Sequence, residues 1–163
     1  MLNFLILNMS LYYTLSNKEK KRIHHRVTNK YRDTVYEVHS LENELIVQNL
    51  KVNQFRRNNT YCIGYARVST PEQKSLNAQI SELKRYAETL GYKSMIVFRV
   101  EGSAWSVNSI YKMKSFNEMI HLLECSNVDT VFINDISRFM RNTLIASKFL
   151  NEVFVPNNCR IYS

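Results

Sequence analysis

Three short apolar segments, each followed by residues with helical spacing, constrain the fold of this chain more than any other feature. The first comprises residues 61–66, and the others are residues 94–98 and 130–133. Each is short enough for a buried strand, and the first runs into Thr70-Pro71, where Thr suits a helix N-cap and Pro the first helical position. Because strands that alternate with helices usually form a parallel sheet, the sequence predicts an α/β fold with a mostly parallel sheet flanked by helices.

Apolar residues at helical spacing follow each of these predicted strands. They are Leu76, Ile80, Leu83, Ala87 and Leu90 after the first strand, Met113, Phe116, Met119, Ile120 and Leu123 after the second, and Ile145, Phe149, Leu150 and Val153 after the third. Gly91 is a natural end for the first helix, because glycine readily adopts the left-handed conformation that terminates helices. The chain therefore repeats a strand and helix unit.

Polar and charged residues follow the carboxyl end of each predicted strand. They are Arg67 and Ser69 after the first, Glu101 and Ser103 after the second, and Asp135, Arg138 and Arg141 after the third. In parallel sheets the carboxyl ends of neighbouring strands lie at one edge, and ligands bind beyond it. An extended backbone also places Tyr65, Arg67 and Ser69 on one face, since they are spaced by two. These segments are predicted to converge on one site.

A serine hydroxyl among arginines suits attack on a phosphate group. The hydroxyl is a weak nucleophile at its ordinary pKa and needs activation. Guanidinium groups bind phosphate oxygens bidentately and stay charged while negative charge develops on those oxygens. We assign charge stabilisation to Arg138 and Arg141, and positioning or deprotonation of Ser69 to Arg67. Either motif alone would more often be a solvated loop or helix face, whereas the two together are specific.

Two motifs carry a family resemblance that covers about residues 61 to 163. Tyr65-Ala-Arg-Val-Ser-Thr with Gln73, Ser75-Leu76 and Gln79, followed by Ser137-Arg-Phe-Met-Arg-Asn142, resembles the catalytic domain of the serine recombinases, the resolvase/invertase family. The resemblance implies a site-specific recombinase of resolvase, invertase or transposase type that needs neither metal nor nucleotide. DNA would be cleaved and rejoined through a 5′-phosphoserine at Ser69.

The resemblance also implies roles for further residues and for assembly. Arg67, Arg138 and Arg141 match phosphate-contacting arginines of the family, and Tyr65, Gln79 and Ser103 match other positions at the DNA. The family's members act on DNA as dimers or tetramers, so we expect a homo-oligomer on DNA.

The chain departs from the family pattern at several positions. Val100 stands where many members have an acidic residue, and Met113 stands where an arginine is common. The chain ends at Ser163, before the long helix that usually follows in the family, so we expect a catalytic domain that is truncated at its carboxyl end. The alternative is a catalytically impaired DNA-binding or oligomerisation protein that retains the recombinase fold.

Residues 1–60 have a different character and are predicted to form a helical extension. Residues 16–19 resemble a capping box, and residues that are mostly apolar then step by four and three. These residues are Val27, Tyr31, Thr34, Val38, Leu41, Leu45, Gln48, Val52 and Phe55. The pattern predicts a long amphipathic helix, which either packs on the catalytic domain or pairs in a coiled coil.

A cluster of basic residues lies near the start of this segment, at Lys18, Lys20, Lys21 and Arg22. Residues 1–60 hold ten basic and five acidic residues, a net charge of +5 out of +8 for the whole chain. Basic clusters are usually solvated faces, but one that precedes a DNA-cleaving domain suits binding to DNA phosphates.

Composition narrows the kinds of site and the cellular locations that suit this chain. The three cysteines are widely spaced in apolar surroundings, which predicts buried thiols rather than a disulfide framework or zinc site. A glycine-rich phosphate loop is missing among three glycines, which argues against nucleotide hydrolysis. Residues 1–15 are apolar but lack a basic start and a cleavage site, and they are too short to span a bilayer. We expect a cytoplasmic protein, or a nuclear or viral-factory protein in a eukaryotic host.

Overall fold

The computed structural model describes residues 33–55, 60–68, 73–101, 114–135, 147, 150–156 and 158–163. They form one six-stranded sheet with the strand order β2-β1-β4-β3-β5-β6. The strands are β1 (Tyr36–Ser40), β2 (Val47–Leu50), β3 (Tyr61–Val68), β4 (Ser94–Glu101), β5 (Thr130–Ile133) and β6 (Arg160–Tyr162). The helices are α1 (Gln73–Thr89) and α2 (Lys114–Cys125), with a 3₁₀ turn at Val52–Gln54 and a π-helical turn at Leu150–Phe154.

Strands β4, β3, β5 and β6 run parallel, with β3 at the centre. The prediction of a mostly parallel sheet flanked by helices is therefore confirmed, and each of the three predicted strands is present. Helix α1 ends where the sequence indicated, because Gly91 follows it with a φ of +84°. Only glycine adopts such a backbone conformation without strain from a Cβ atom.

The two faces of the sheet bury separate apolar clusters. On one face, Tyr65, Phe98 and Val131 belong to a cluster with Phe116 and other residues of α2. On the other face, Cys62, Met95 and Phe132 pack against the apolar side of α1. Gly64 is required on that second face, since an added Cβ would lie 2.3 Å from Sδ of Met95. The strand β3 is thus covered on both faces.

Residues 36–50 form a hairpin, and the long helix predicted across this region is wrong there. Strand β1 pairs antiparallel with both β2 and β4, so the sheet continues past the predicted boundary at residue 60. Tyr36 and Val38 are both buried, which is the period of a strand, while Leu45 is 92% exposed. Pairing with the open backbone groups of β4 outweighs the helical spacing, because an unpaired buried N–H or C=O is costly. Residues 1–32 of the predicted extension lie outside the described residues.

Two cysteines in the described part of the chain are free thiols: Cys62 is buried, as the sequence indicated, whereas Cys159 is only partly buried. Cys62 is buried, and burial raises the pKa of its thiol. Burial also raises the pKa of Cys159 to about 12, with a further contribution from the charge of Asp129. No helix within the described ranges is both long enough and apolar enough to cross a membrane.

Candidate active site

The carboxyl ends of the parallel strands meet at one edge of the sheet, as predicted. The register pairs Arg67 with Val100 and Val68 with Glu101, where β3 and β4 end. Strand β5 ends at Ile133, which pairs with Tyr65, and Asp135 follows shortly after. The described residues of all three segments therefore come together.

Tyr65 and Arg67 lie on the same face of β3, toward α2. Tyr65 is 2% exposed and its ring packs edge-on against Phe116, with 6.4 Å between the ring centroids. Arg67 is 9% exposed, which is unusual for a residue type that is mostly found in contact with solvent. Burial raises the pKa of Tyr65 above its ordinary value of 10, and the positive charge of Arg67 only partly offsets this. Tyr65 is therefore a neutral phenol beside a fixed cation.

Gln79 of α1 holds the backbone of Arg67 through both ends of its side-chain amide. The backbone N–H of Arg67 donates to Oε1, and Nε2 donates to the carbonyl oxygen of Arg67, each over 3.4 Å. In the described part of the chain, β5 pairs with β3 only as far as Tyr65. A carboxamide has one donor and one acceptor end like a peptide group, so Gln79 continues the ladder where β5 stops.

Glu101, the carboxylate that the sequence predicted near this site, lies on the opposite face of the sheet from Arg67. Val100 lies beside Arg67 in the register and is 2% exposed within the cluster on the α2 face. Successive side chains of a strand point to opposite faces, so Glu101 belongs to the α1 face, and it is exposed. Arg67 therefore has an apolar neighbour, Val100, on β4.

Several residues that the sequence singled out lie outside the described residues. They are the predicted nucleophile Ser69, the predicted DNA or phosphate contacts Ser103, Arg138 and Arg141, and the basic residues Lys18, Lys20, Lys21 and Arg22. Among the predicted site residues, the structure describes Tyr65, Arg67 and Gln79, and it brings these three together at the end of β3.

A polar network that the sequence did not predict lies on the α1 face of the same sheet. Arg99 of β4 donates from Nη2 to Oε1 of Glu37 over 3.0 Å and from Nε to Oε2 over 3.3 Å. Its third nitrogen, Nη1, donates to Oδ1 of Asn77 on α1 over 2.7 Å. The one signal in the sequence is an arginine inside an otherwise apolar strand.

The network continues from Glu37 to a second contact with α1. Nε2 of His39 lies 2.5 Å from Oε1 of Glu37, and Nδ1 lies 3.3 Å from Nζ of Lys84. Because an ammonium group can only donate, His39 accepts at Nδ1 and donates from Nε2. Burial alone would raise the pKa of Glu37, but the hydrogen bonds from Arg99 and His39 and the positive charge of Arg99 together outweigh it, so this pKa lies below its ordinary value.

Known proteins are similar to this chain in sequence and in fold. The family model described as Resolvase, N terminal domain, matches residues 62–163. The structure is similar to the N-terminal catalytic domain of TP901-1 integrase, with 25% identity, a TM-score of 0.51, and coverage of 63% of this chain and 75% of that one.

A second similar structure is the C-terminal catalytic domain of ISC1926 TnpA, an IS607-like serine recombinase. The identity is 28% and the TM-score 0.50, and the match covers 63% of this chain and 68% of that one. No curated protein sequence matches the chain significantly. The family match begins after the hairpin of β1 and β2, at the start of β3.

Proposed function

The chain belongs to the serine recombinase family, whose resolvase N-terminal domain it carries, and we propose that it cleaves and rejoins DNA through a 5′-phosphoserine intermediate. One observation carries this proposal. Arg67 is a buried guanidinium at the carboxyl end of the central strand, two residues before Ser69. A cation fixed at that place suits a phosphodiester bound next to the serine.

In the proposed first step, Oγ of Ser69 attacks the phosphorus atom of a DNA phosphodiester. The Oγ–P bond forms, the bond from phosphorus to the 3′-oxygen breaks, and that oxygen leaves as a 3′-hydroxyl after taking up a proton. The serine proton passes to a nearby base or to water. In the second step, the 3′-hydroxyl of another strand attacks the phosphoserine and releases Ser69. The number of phosphate ester bonds is unchanged, so the exchange requires no nucleotide cofactor.

The arginines would provide the electrostatic stabilisation in the proposed reaction. Arg138 and Arg141 would stabilise the charge on the non-bridging phosphate oxygens, and Arg67 would position Ser69 or favour its deprotonation. A buried guanidinium interacts more strongly with phosphate than one in water, because the local dielectric constant is lower. We propose that Gln79 supports the reaction by holding the backbone of Arg67, and that Tyr65 supports it by packing beneath Arg67. Ser103 and a direct DNA contact of Tyr65 remain predictions.

The basic residues before the hairpin are proposed to contact DNA phosphates beside the cleavage site. Because β1 is antiparallel to β4, the chain enters β1 from the edge where Arg67 lies. Asp33 is held at this entry by an ion pair with Lys51 of 2.9 Å. Arg22 lies eleven positions before Asp33, so an extended chain reaches at most about 40 Å from the entry. Lys18, Lys20, Lys21 and Arg22 would bind phosphates without sequence preference, and a dimer or tetramer on DNA would place two sites together.

The test is covalent capture of the protein on DNA. The full chain is incubated with supercoiled DNA that carries the flanking sequence of its own gene, and protein bound to a 5′ end is detected after denaturation. We expect an adduct with the native chain, none with Ser69→Ala, and an unchanged yield with the control Ser81→Ala on the exposed side of α1. Salt-sensitive DNA binding without an adduct would instead support the catalytically impaired DNA-binding protein. Absence of both binding and adduct would contradict the recombinase proposal.

A further inference from the structure

The side chain of Arg99 joins three parts of the fold that are distant in sequence. It lies on β4, it binds both carboxylate oxygens of Glu37 on β1, and it binds Oδ1 of Asn77 on α1. A guanidinium can make all three contacts at once because its donors are arranged as a rigid, planar fork. Neither a lysine nor a neutral side chain of similar size could do the same.

These contacts of Arg99 lie next to the segment that carries the predicted nucleophile. Residues 69–72 connect the end of β3, at Val68, to the start of α1, at Gln73. Gln79 fixes α1 to the backbone of Arg67, and Asn77, two residues earlier on the same helix, is fixed by Arg99. The first turns of α1 are therefore held to two neighbouring strands at the edge of the sheet where Ser69 is attached.

We propose that Arg99, held in place by Glu37, is a positioning residue for DNA strand cleavage. It fixes the amino-terminal turns of α1, and through them the ends of the short connection that contains Ser69. The inference rests on the proposed function and adds to it a role for the hairpin. Restricting the ends of a short connection reduces the number of conformations in which the hydroxyl is badly placed for attack.

The burial of the network favours this role over one in global stability. The side chains of Arg99 and Glu37 are 35% and 32% exposed, and ion pairs with that much solvent contact contribute little to the stability of a whole domain. They can still order the elements that they join. The second contact, from Lys84 to His39, fixes α1 to the same strand β1 two turns further along the helix.

The hairpin that supplies Glu37 and His39 precedes the region that matches the family model. The matched region contributes Arg99 and Asn77, and β1 contributes the carboxylate that orients Arg99. The inference therefore assigns a function to residues that the family match does not cover.

The experiment measures single-turnover formation of the serine adduct by the full chain at saturating DNA. The variants are Arg99→Lys and Glu37→Gln, and the control is Glu42→Gln, which breaks the ion pair with Lys93 at the opposite end of β4. We expect both test variants to lower the rate constant about tenfold or more, because small misplacements of reacting groups slow attack strongly. The final adduct yield and the DNA affinity should change less than twofold, and the control should behave like the native chain.

Amide hydrogen exchange of residues 67–80 provides a second readout that does not require chemistry. We expect faster exchange in Arg99→Lys and Glu37→Gln, and native exchange in Glu42→Gln. An unchanged rate constant for adduct formation in Arg99→Lys would overturn the proposal, and so would an equal loss of rate in Glu42→Gln. A fall in the final adduct yield without a change in rate would also overturn it, because that result indicates partial unfolding. If the native chain forms no adduct, the recombinase function fails, and unchanged exchange in Arg99→Lys would then overturn the anchoring role independently.

Discussion

The side-chain amide of Gln79 hydrogen-bonds both the N–H and the C=O of Arg67, and so takes the place of a neighbouring strand beyond the end of β5. This relationship ties the helix that follows the predicted nucleophile to the strand that precedes it. It also satisfies buried backbone groups that would be costly to leave unpaired.

Gln79→Glu is therefore expected to be harmful although it is nearly isosteric. A carboxylate cannot donate to the carbonyl oxygen of Arg67, and it would place a second acceptor there. We expect a loss of about 1–3 kcal/mol in the free energy of unfolding, measured by urea denaturation, together with slower adduct formation. The control is Gln48→Glu on the exposed strand β2, which should change stability by less than about 0.5 kcal/mol. Equal stability of the two variants would show that the hydrogen bonds from Gln79 to the backbone of Arg67 are unimportant.

Gly64→Ala should destabilise the sheet through overpacking. The added Cβ would approach Sδ of Met95 to 2.3 Å, and Met95 is fully buried between the sheet and α1. We expect a cost of about 1–3 kcal/mol in thermal or chemical denaturation. Met95→Val in the same chain should recover part of that loss, because it removes the atoms that clash. Additive costs in the double variant would contradict this packing explanation.

The contribution of Glu37 to stability should depend on pH. Its pKa is lowered in the folded chain, so its contribution is present above the ordinary carboxyl value of 4.5 and is lost as the pH falls through the lowered pKa. Because the ion pair is partly exposed, the effect is small: the midpoint of thermal unfolding of Glu37→Gln should lie slightly below that of the native chain at pH 7, and the difference should shrink in acid.

Glu118 provides the control of opposite sign for that measurement. Burial raises its pKa, against a smaller opposing effect of Lys114, so its ionised form is disfavoured in the folded chain. Glu118→Gln should therefore be neutral or stabilising at pH 7, with a difference that also shrinks in acid. Parallel behaviour of the two variants would contradict the assignment of the Glu37 shift to Arg99 and His39.

Phe132→Ala should release the edge strand β6. The Phe132 ring is fully buried, stacks on Tyr162 with 5.1 Å between ring centroids, and meets Tyr86 and Tyr92 edge-on. We expect a loss of about 3–5 kcal/mol in chemical denaturation. Tyr86→Ala, at a ring that is 42% exposed, should cost much less. Similar losses in the free energy of unfolding for the two variants would show that this group of aromatic rings does not depend on its buried member, Phe132.

Part of the candidate site was evident from local sequence. The spacing of Tyr65 and Arg67 placed them on one face, and strand ends followed by charged residues indicated a common edge. What could not be predicted was the orientation of Glu101, since a shift of one residue in a strand moves a side chain to the other face. The partner of Gln79 could not be predicted either, because it depends on where β5 stops.

The sequence by itself determined the parallel core, because strands β3, β4 and β5 and helices α1 and α2 each carry their own periodicity and ends. Only the tertiary structure decided the form of residues 36–50, whose apolar spacing fitted a helix but whose backbone pairs with the open edge of β4. It also decided the network around Arg99, whose partners on β1 and α1 are distant along the chain. Local patterns specify which face of an element is apolar, whereas hydrogen bonding between distant segments depends on the whole sheet being assembled.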